Sequence, residues 1–420
     1  MARNLSNSLF WIVGAVALLT IQYAAAQQSA FKSDVEANAV GNRSRPEYDP
    51  IGGRVGSFFI YPSLTESLLF DDNVYATNTG EVSDTILRSR ARLAIRSDMP
   101  RHALNFDFAV DNFTYFDNSG ENRTDVEAGS NGRIDIDHSL NLAGSARAGW
   151  LHEERGSADS PGAAAEPVSY SRFEGSISLN KQFSRLGLSV GGAVQSLDYS
   201  DVAAVGGGTI DQDFRDGEVF TALVKAAYEF SQGYRAFAQV EGNKRDFRNN
   251  KDSTGIELRG GIEFEISRLV LGEVSAGYLH QDYDTPGLAD VDGAAFRGAL
   301  LWNPTPLATV ALSAERRVSE TTVAGASGRL ETVLDGKVDY EVLRNLILSS
   351  SIRHGIGEYG GTGRRDQTLT AGLALEYLIN RYLAATAFVE HRRRDSNVAG
   401  LDYESNRIGG SLRLQMFGFE

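Results

Sequence analysis

The stretch Ile256-Glu257-Leu258-Arg259-Gly260-Gly261-Ile262-Glu263-Phe264-Glu265-Ile266 puts an apolar residue or glycine at every even position. Every odd position except Gly261 carries a charge. Side chains on a strand point alternately to opposite faces, so this segment is a strand with one apolar and one ionised surface. A similar ladder sets Leu87, Ser89, Ala91, Leu93 and Ile95 against Arg88, Arg90, Arg92 and Arg96. Another sets Leu330, Thr332, Leu334, Gly336, Val338 and Tyr340 against Arg329, Glu331, Asp335, Lys337, Asp339 and Glu341. From Gly56 onward nothing sustains a helical period.

Outward from these ladders, about eighteen segments share the alternation and length of membrane-spanning strands. They fall at 57–71, 85–97, 102–116, 124–137, 140–152, 168–182, 186–198, 216–230, 234–247, 254–267, 270–283, 293–303, 306–318, 328–341, 345–357, 367–379, 382–394 and 404–418. Short turns such as His138-Ser139, Ser184-Arg185 and Arg268-Leu269 alternate with long polar loops such as Asp72–Asp84, Glu153–Pro167 and Tyr199–Arg215. A soluble sandwich has no reason to keep that asymmetry, and its buried faces would carry more large aliphatics than the Gly, Ala and Ser seen here. A propeller would repeat a four-strand motif, and none is found. The expected fold is all-β: a transmembrane antiparallel up-and-down β-barrel of about 18 strands with both termini periplasmic.

Composition agrees. The 420 residues include no cysteine, so there is no disulfide framework and no thiolate site. A net charge of −14 argues against a nucleic-acid partner. A mean hydropathy of −0.25 excludes a polytopic helical membrane protein. Arg3, the apolar run Leu9–Thr20 and Ala24-Ala25-Ala26 form a signal-peptide pattern over residues 1–26. Residues 27–53 read as an extended periplasmic segment, and 54–420 as the barrel.

Aromatics cluster near the expected strand ends. Phe58, Phe59, Tyr61, Phe183, Tyr228, Phe230, Tyr234, Trp302, Tyr340, Tyr377 and Tyr382 lie beside short turns. Trp150, Tyr170, Phe173, Tyr199 and Phe247 lie near long loops, so two interfacial girdles are expected. The last strand, with Arg407, Gly409, Leu412, Leu414, Phe417 and Phe419, resembles the carboxy-terminal assembly signal of outer-membrane proteins, although the chain ends in Glu420. That likeness implies the barrel-assembly machinery as a partner.

After the leader come Arg45-Pro46-Glu47-Tyr48-Asp49-Pro50, Gly56-Ser57-Phe58, Tyr61-Pro62-Ser63-Leu64 and Asp71-Asp72-Asn73-Val74-Tyr75-Ala76. Ser83-Asp84 and Arg101-His102-Ala103-Leu104 follow. In these residues the chain resembles the type 2 family of outer-membrane β-barrel porins of proteobacteria. The resemblance implies an outer-membrane barrel, with looser relatives encoded among exopolysaccharide genes. It brings no catalytic residues with it.

A barrel of this size encloses an aqueous channel. The candidate pore lining is Arg88, Arg90, Arg92 and Arg96, with Asp107, Asp111, Glu127, Glu257, Arg259 and Glu263. These charges either guide solutes or pair across neighbouring strands and keep the lumen wet. A second basic set, Arg316, Arg317, Arg364, Arg365, Arg392, Arg393 and Arg394, falls at the expected outer rim. Guanidinium forks there suit the phosphates of lipopolysaccharide, the alternative being an ordinary solvated rim. Asp71-Asp72-Asn73, or Asp282, Asp284, Asp290 and Asp292, offer oxygen ligands without calcium-loop spacing, so no metal and no cofactor is assigned. Six scattered histidines, with neither H-E-x-x-H nor G-x-S-x-G, argue against an enzyme. Two functions remain: a porin-like channel for small hydrophilic solutes or saccharides, linked to exopolysaccharide export, or an occluded structural or surface-binding barrel. Lipid and lipopolysaccharide are the expected surroundings, and the oligomeric state is open.

Overall fold

A computed structural model describes residues 34–248 and 251–415. Eighteen long antiparallel strands follow one another in chain order. They are β1 (Phe58–Asp71), β2 (Asp84–Ser97), β3 (Ala103–Tyr115), β4 (Arg123–Asp135), β5 (Leu140–His152) and β6 (Ser169–Phe183). Then come β7 (Leu186–Tyr199), β8 (Gly217–Ser231), β9 (Tyr234–Phe247), β10 (Ser253–Ile266), β11 (Val270–Tyr283) and β12 (Val291–Thr305). The last are β13 (Ala308–Ser319), β14 (Arg329–Leu343), β15 (Leu346–Tyr359), β16 (Arg365–Leu378), β17 (Leu383–Ser396) and β18 (Tyr403–Gln415). Each pairs with its sequence neighbours, and β1 pairs with β18 from Ser63↔Gln415 to Asp71↔Arg407. The sheet therefore closes and has no free edge, as a bilayer requires. Apart from the last strand, whose expected end at 418 lies outside the described residues, no strand end lies more than two positions from its expected place.

The register carries one face around the whole ring. Ile256, Leu258 and Ile262 on β10 are exposed, and their cross-strand partners Val240 on β9 and Val274 and Tyr278 on β11 are exposed as well. Arg259, on the opposite parity, is buried. The apolar parity is thus the outside and the charged parity the lumen. Outward Phe183, Tyr228, Phe230, Trp302, Tyr340 and Tyr377 form a girdle at the short-turn end. The expected second girdle differs in membership. Tyr170 and Phe247 are buried inside, and Tyr199 stacks on Tyr170 with ring centroids 5.1 Å apart. Trp150 and Phe173 do face out, and Phe70 and Phe220 complete that belt. Strand parity decides: a residue near the rim belongs to the belt only if its position faces lipid.

Residues 34–57 depart from an extended segment. Asp34–Asn38 is one turn of helix, residues 39–43 and 46–49 are turns and bends, and Gly53–Val55 hairpins onto β1. Val35 and Val40 are fully buried against the barrel, which explains why the segment folds: its few apolar side chains leave water only there. The leader, residues 1–26, and the terminal Phe417 and Phe419 lie outside the described residues.

Candidate functional site

The expected pore residues of β2–β4 all occupy lumenal positions, and they pair with one another. Arg88 Nη2 lies 2.7 Å from Asp111 Oδ1, and Arg90 Nε lies 3.4 Å from Asp111 Oδ2. Arg92 and Arg96 each place Nη2 2.7 Å from Asp107 Oδ1. Four guanidiniums therefore share two carboxylates, and the β2 ladder keeps an excess of positive charge. Glu127 on β4 is taken instead by Arg172 at 2.7 Å and Arg147 at 3.5 Å. Cross-strand pairing is thus real for each of these arginines.

The opposite wall has the other sign. On β9–β11, Glu241, Glu257, Glu263, Glu265 and Glu273 face inward. Lys225 reaches Glu263 at 2.6 Å and Glu273 at 3.4 Å, Arg235 reaches Glu263 at 2.6 Å, and Arg259 contacts Glu257. On β14, Glu331, Asp335, Asp339 and Glu341 face inward beside Arg329 and Lys337 of the same strand, and the lining there is mixed in sign. The basic ladder is extended through the seam by Arg407 and Arg413 on β18 and by Arg392 and Arg394 on β17. In a ring of eighteen, β2 and β11 stand half a turn apart. The lumen is therefore polarised across its width.

A loop narrows it. Residues 153–168, between β5 and β6, fold over the lumen instead of standing out from the rim. Glu154 meets Arg123 at 2.9 Å, Arg407 at 3.6 Å and Arg392 at 3.7 Å. Asp159 accepts from Thr322 N at 2.7 Å and Thr321 Oγ1 at 2.9 Å, on the loop between β13 and β14. Arg394 donates to the Gly156 carbonyl at 3.3 Å, and a Cβ at Gly156 would overlap the Tyr403 hydroxyl. Burial alone would raise the Glu154 pKa; Arg123, Arg407 and Arg392 outweigh it and hold the carboxylate below its ordinary range. Sequence reasoning missed this element, and loop length was its only signal.

The basic rim set does not form one cluster. Arg316, Arg365 and Arg393 face outward, where Glu358 lies 3.0 Å from Arg316 and Asp395 lies 2.7 Å from Arg393. Arg317, Arg392 and Arg394 face the lumen, and Arg364 turns to Asp366 at 2.6 Å. Neighbouring strand residues point opposite ways, so a run such as Arg392-Arg393-Arg394 is split by geometry.

Residues 45–416 match the family described as "Putative beta-barrel porin 2". The chain belongs to that porin family. With its closed sheet and apolar exterior it is an outer-membrane β-barrel of the channel-forming kind. Among solved structures it is similar to Pseudomonas aeruginosa OccK2 (OpdF), at 12% identity and TM-score 0.47, over 87% of this chain and 100% of that one. It is also similar to Pseudomonas aeruginosa OpdO (14%, 0.44, 86% and 98%) and to OpdK crystallised with vanillate (11%, 0.44, 85% and 99%). At these values the likeness carries nothing about solute. A comparison with curated protein sequences finds no match.

The family-like stretches of this porin have structural work. Asp71, fully buried, takes Arg407 Nε at 2.6 Å, Ser405 Oγ at 2.8 Å and Arg392 Nη2 at 3.1 Å. Asp72 accepts from Asn406 N at 2.7 Å, and the Asn73 amide donates to the Glu404 carbonyl at 2.8 Å. All three residues fasten β1 and its following loop to β18, and Asp71 reaches Arg392 on β17 as well, so Asp71-Asp72-Asn73 is a clasp at the barrel seam. Asp84 likewise receives the Asn118 N–H at 2.8 Å and its side-chain amide at 2.9 Å, pinning the β3–β4 loop.

Proposed function

We propose that this porin is a passive channel for small hydrophilic solutes, saccharides among them, with its short turns and both termini on the periplasmic side. One observation carries the reading: the lumen presents an arginine-rich wall at β17, β18 and β2 facing a carboxylate-rich wall at β9–β11. Opposed charge across a narrow aqueous passage orients solutes with separated polar groups and excludes hydrocarbon. The resemblance to exopolysaccharide-cluster barrels favours sugars as cargo. No chemical step is assigned. Lipopolysaccharide phosphates suit the outward Arg316, Arg365 and Arg393, export follows from the leader, and the terminal strand suits the assembly machinery.

The occluded-barrel reading is favoured by a different observation, the entry of loop 153–168 and residues 34–50 into the lumen. Planar-bilayer recording separates the two. Stepwise currents, with swelling of proteoliposomes in disaccharide, support the channel; silence from correctly folded protein in both assays sinks it.

A further inference from the structure

At the short-turn end of β15–β17 the inner wall presents Ile347, Leu378 and Ala384 inward. Such side chains facing an open aqueous channel would be hydrated at a cost. They are covered by the chain's own Val40, which is wholly buried among them, with Tyr48 alongside.

Polar contacts continue the match on both sides. The Asn303 amide donates to the Val35 carbonyl at 2.8 Å, and the Val40 N–H donates to Thr309 Oγ1 at 2.8 Å. Thr309 in turn donates to Asn303 Oδ1 at 2.7 Å, so the two wall residues are pre-arranged for the segment. Further along, Arg45 lies 2.7 Å from Glu341 Oε2, with both side chains 5% exposed, and Arg43 lies 3.3 Å from the same oxygen. Arg344 and Arg381, in the turns after β14 and β16, donate to the Ser44 and Pro46 carbonyls at 3.0 and 3.5 Å. The segment thus runs along the mouth from β12 to β17 before it meets β1.

We propose that residues 34–50 are a lumenal strap, a ligand supplied by the chain itself, that throttles the short-turn mouth and is clasped through Glu341. A turn of helix with side chains is about 10 Å across, a large share of a barrel lumen. The apolar contact is small, centred on Val40, and the charged part of the grip rests on one carboxylate serving two strap arginines. Neutralising that carboxylate frees the strap. The inference rests on the channel reading, and the test tells the two apart.

The experiment is planar-bilayer conductance of four folded proteins: the parent, a variant lacking residues 34–50, Glu341→Gln, and Glu341→Gln carrying Val40→Cys and Ala384→Cys. The native chain has no cysteine, so the added pair is the sole redox handle. Deletion and Glu341→Gln should each raise unitary conductance at least about twofold. Oxidising the double-cysteine protein should return it to the parent value, and reduction should raise it again in the same molecules. Parent-like conductance from the deletion and from Glu341→Gln overturns the strap while leaving the channel intact. Absence of current from all four, the deletion included, overturns both readings.

Discussion

At the scale of single residues, the barrel is closed by a few buried groups whose partners lie far away in the sequence. Asp71 is shared by Arg392 and Arg407 with no exposure of its own. Asp71→Ala should lower unfolding stability by about 3–5 kcal/mol, because two buried guanidiniums lose their nearest counter-charge. Asp72→Ala, at the exposed rim, should cost less than about 1 kcal/mol. Urea unfolding of the detergent-folded barrel measures both. Glycine matters sharply at Gly277, where a Cβ would overlap the Leu258 carbonyl oxygen on β10, backbone that cannot yield. Gly277→Val should therefore prevent normal β10–β11 pairing and reduce the folded yield, whereas Gly260→Ala, facing lipid with room, should not. The residue identities on each face were legible in advance. The pairs were not, because a carboxylate at position 71 says nothing of arginines at 392 and 407 until the ends of the chain meet.

At the scale of elements, a strand and a loop behave differently. On β10, Ile262 faces outward and Glu263 faces the lumen. Ile262→Lys should destabilise insertion by about 2–4 kcal/mol if it sits near the midplane, a penalty absent on the lumenal side of the same strand. Loop 153–168 is held chiefly by charge. A carboxylate whose pKa is depressed in the folded state contributes stability that is fully present above its unfolded pKa and is lost as pH falls through the depressed value. Glu154 is such a group. Amide exchange of residues 153–168 should stay slow through mild acid and rise only below the ordinary carboxylate range; Glu154→Gln should speed it wherever the parent carboxylate is ionised, and the two should converge at lower pH. Strands were readable because their signal is local alternation. The inward course of this loop was not, since its partners sit on β4, β17, β18 and the β13–β14 loop.

At the scale of the whole molecule, the governing feature is charge polarised across the lumen. Replacing Arg88, Arg90, Arg92 and Arg96 together by glutamine leaves Asp107 and Asp111 unopposed on β3. The zero-current potential in a salt gradient should shift toward cation selectivity, and the shift should shrink at high ionic strength, where a Debye length of about 3 Å at 1 M screens the wall. An unchanged potential would mean that current bypasses the β2 wall. Strand number, strand limits and the apolar and charged faces of the clearest ladders could be read from the residues in order, because a period of two is written along the chain and needs no partner. The rim reading grouped Arg316 with Arg317 and Arg392 with Arg393, and strand alternation parts them. Which carboxylates neutralise which arginines, the clasp that Asp71–Asn73 makes at the seam, and the entry of a loop and the amino-terminal segment into the lumen all depend on the closed barrel. Those contacts join residues up to 336 positions apart. Such pairings exist only once β1 and β18 have met, and no local pattern encodes them.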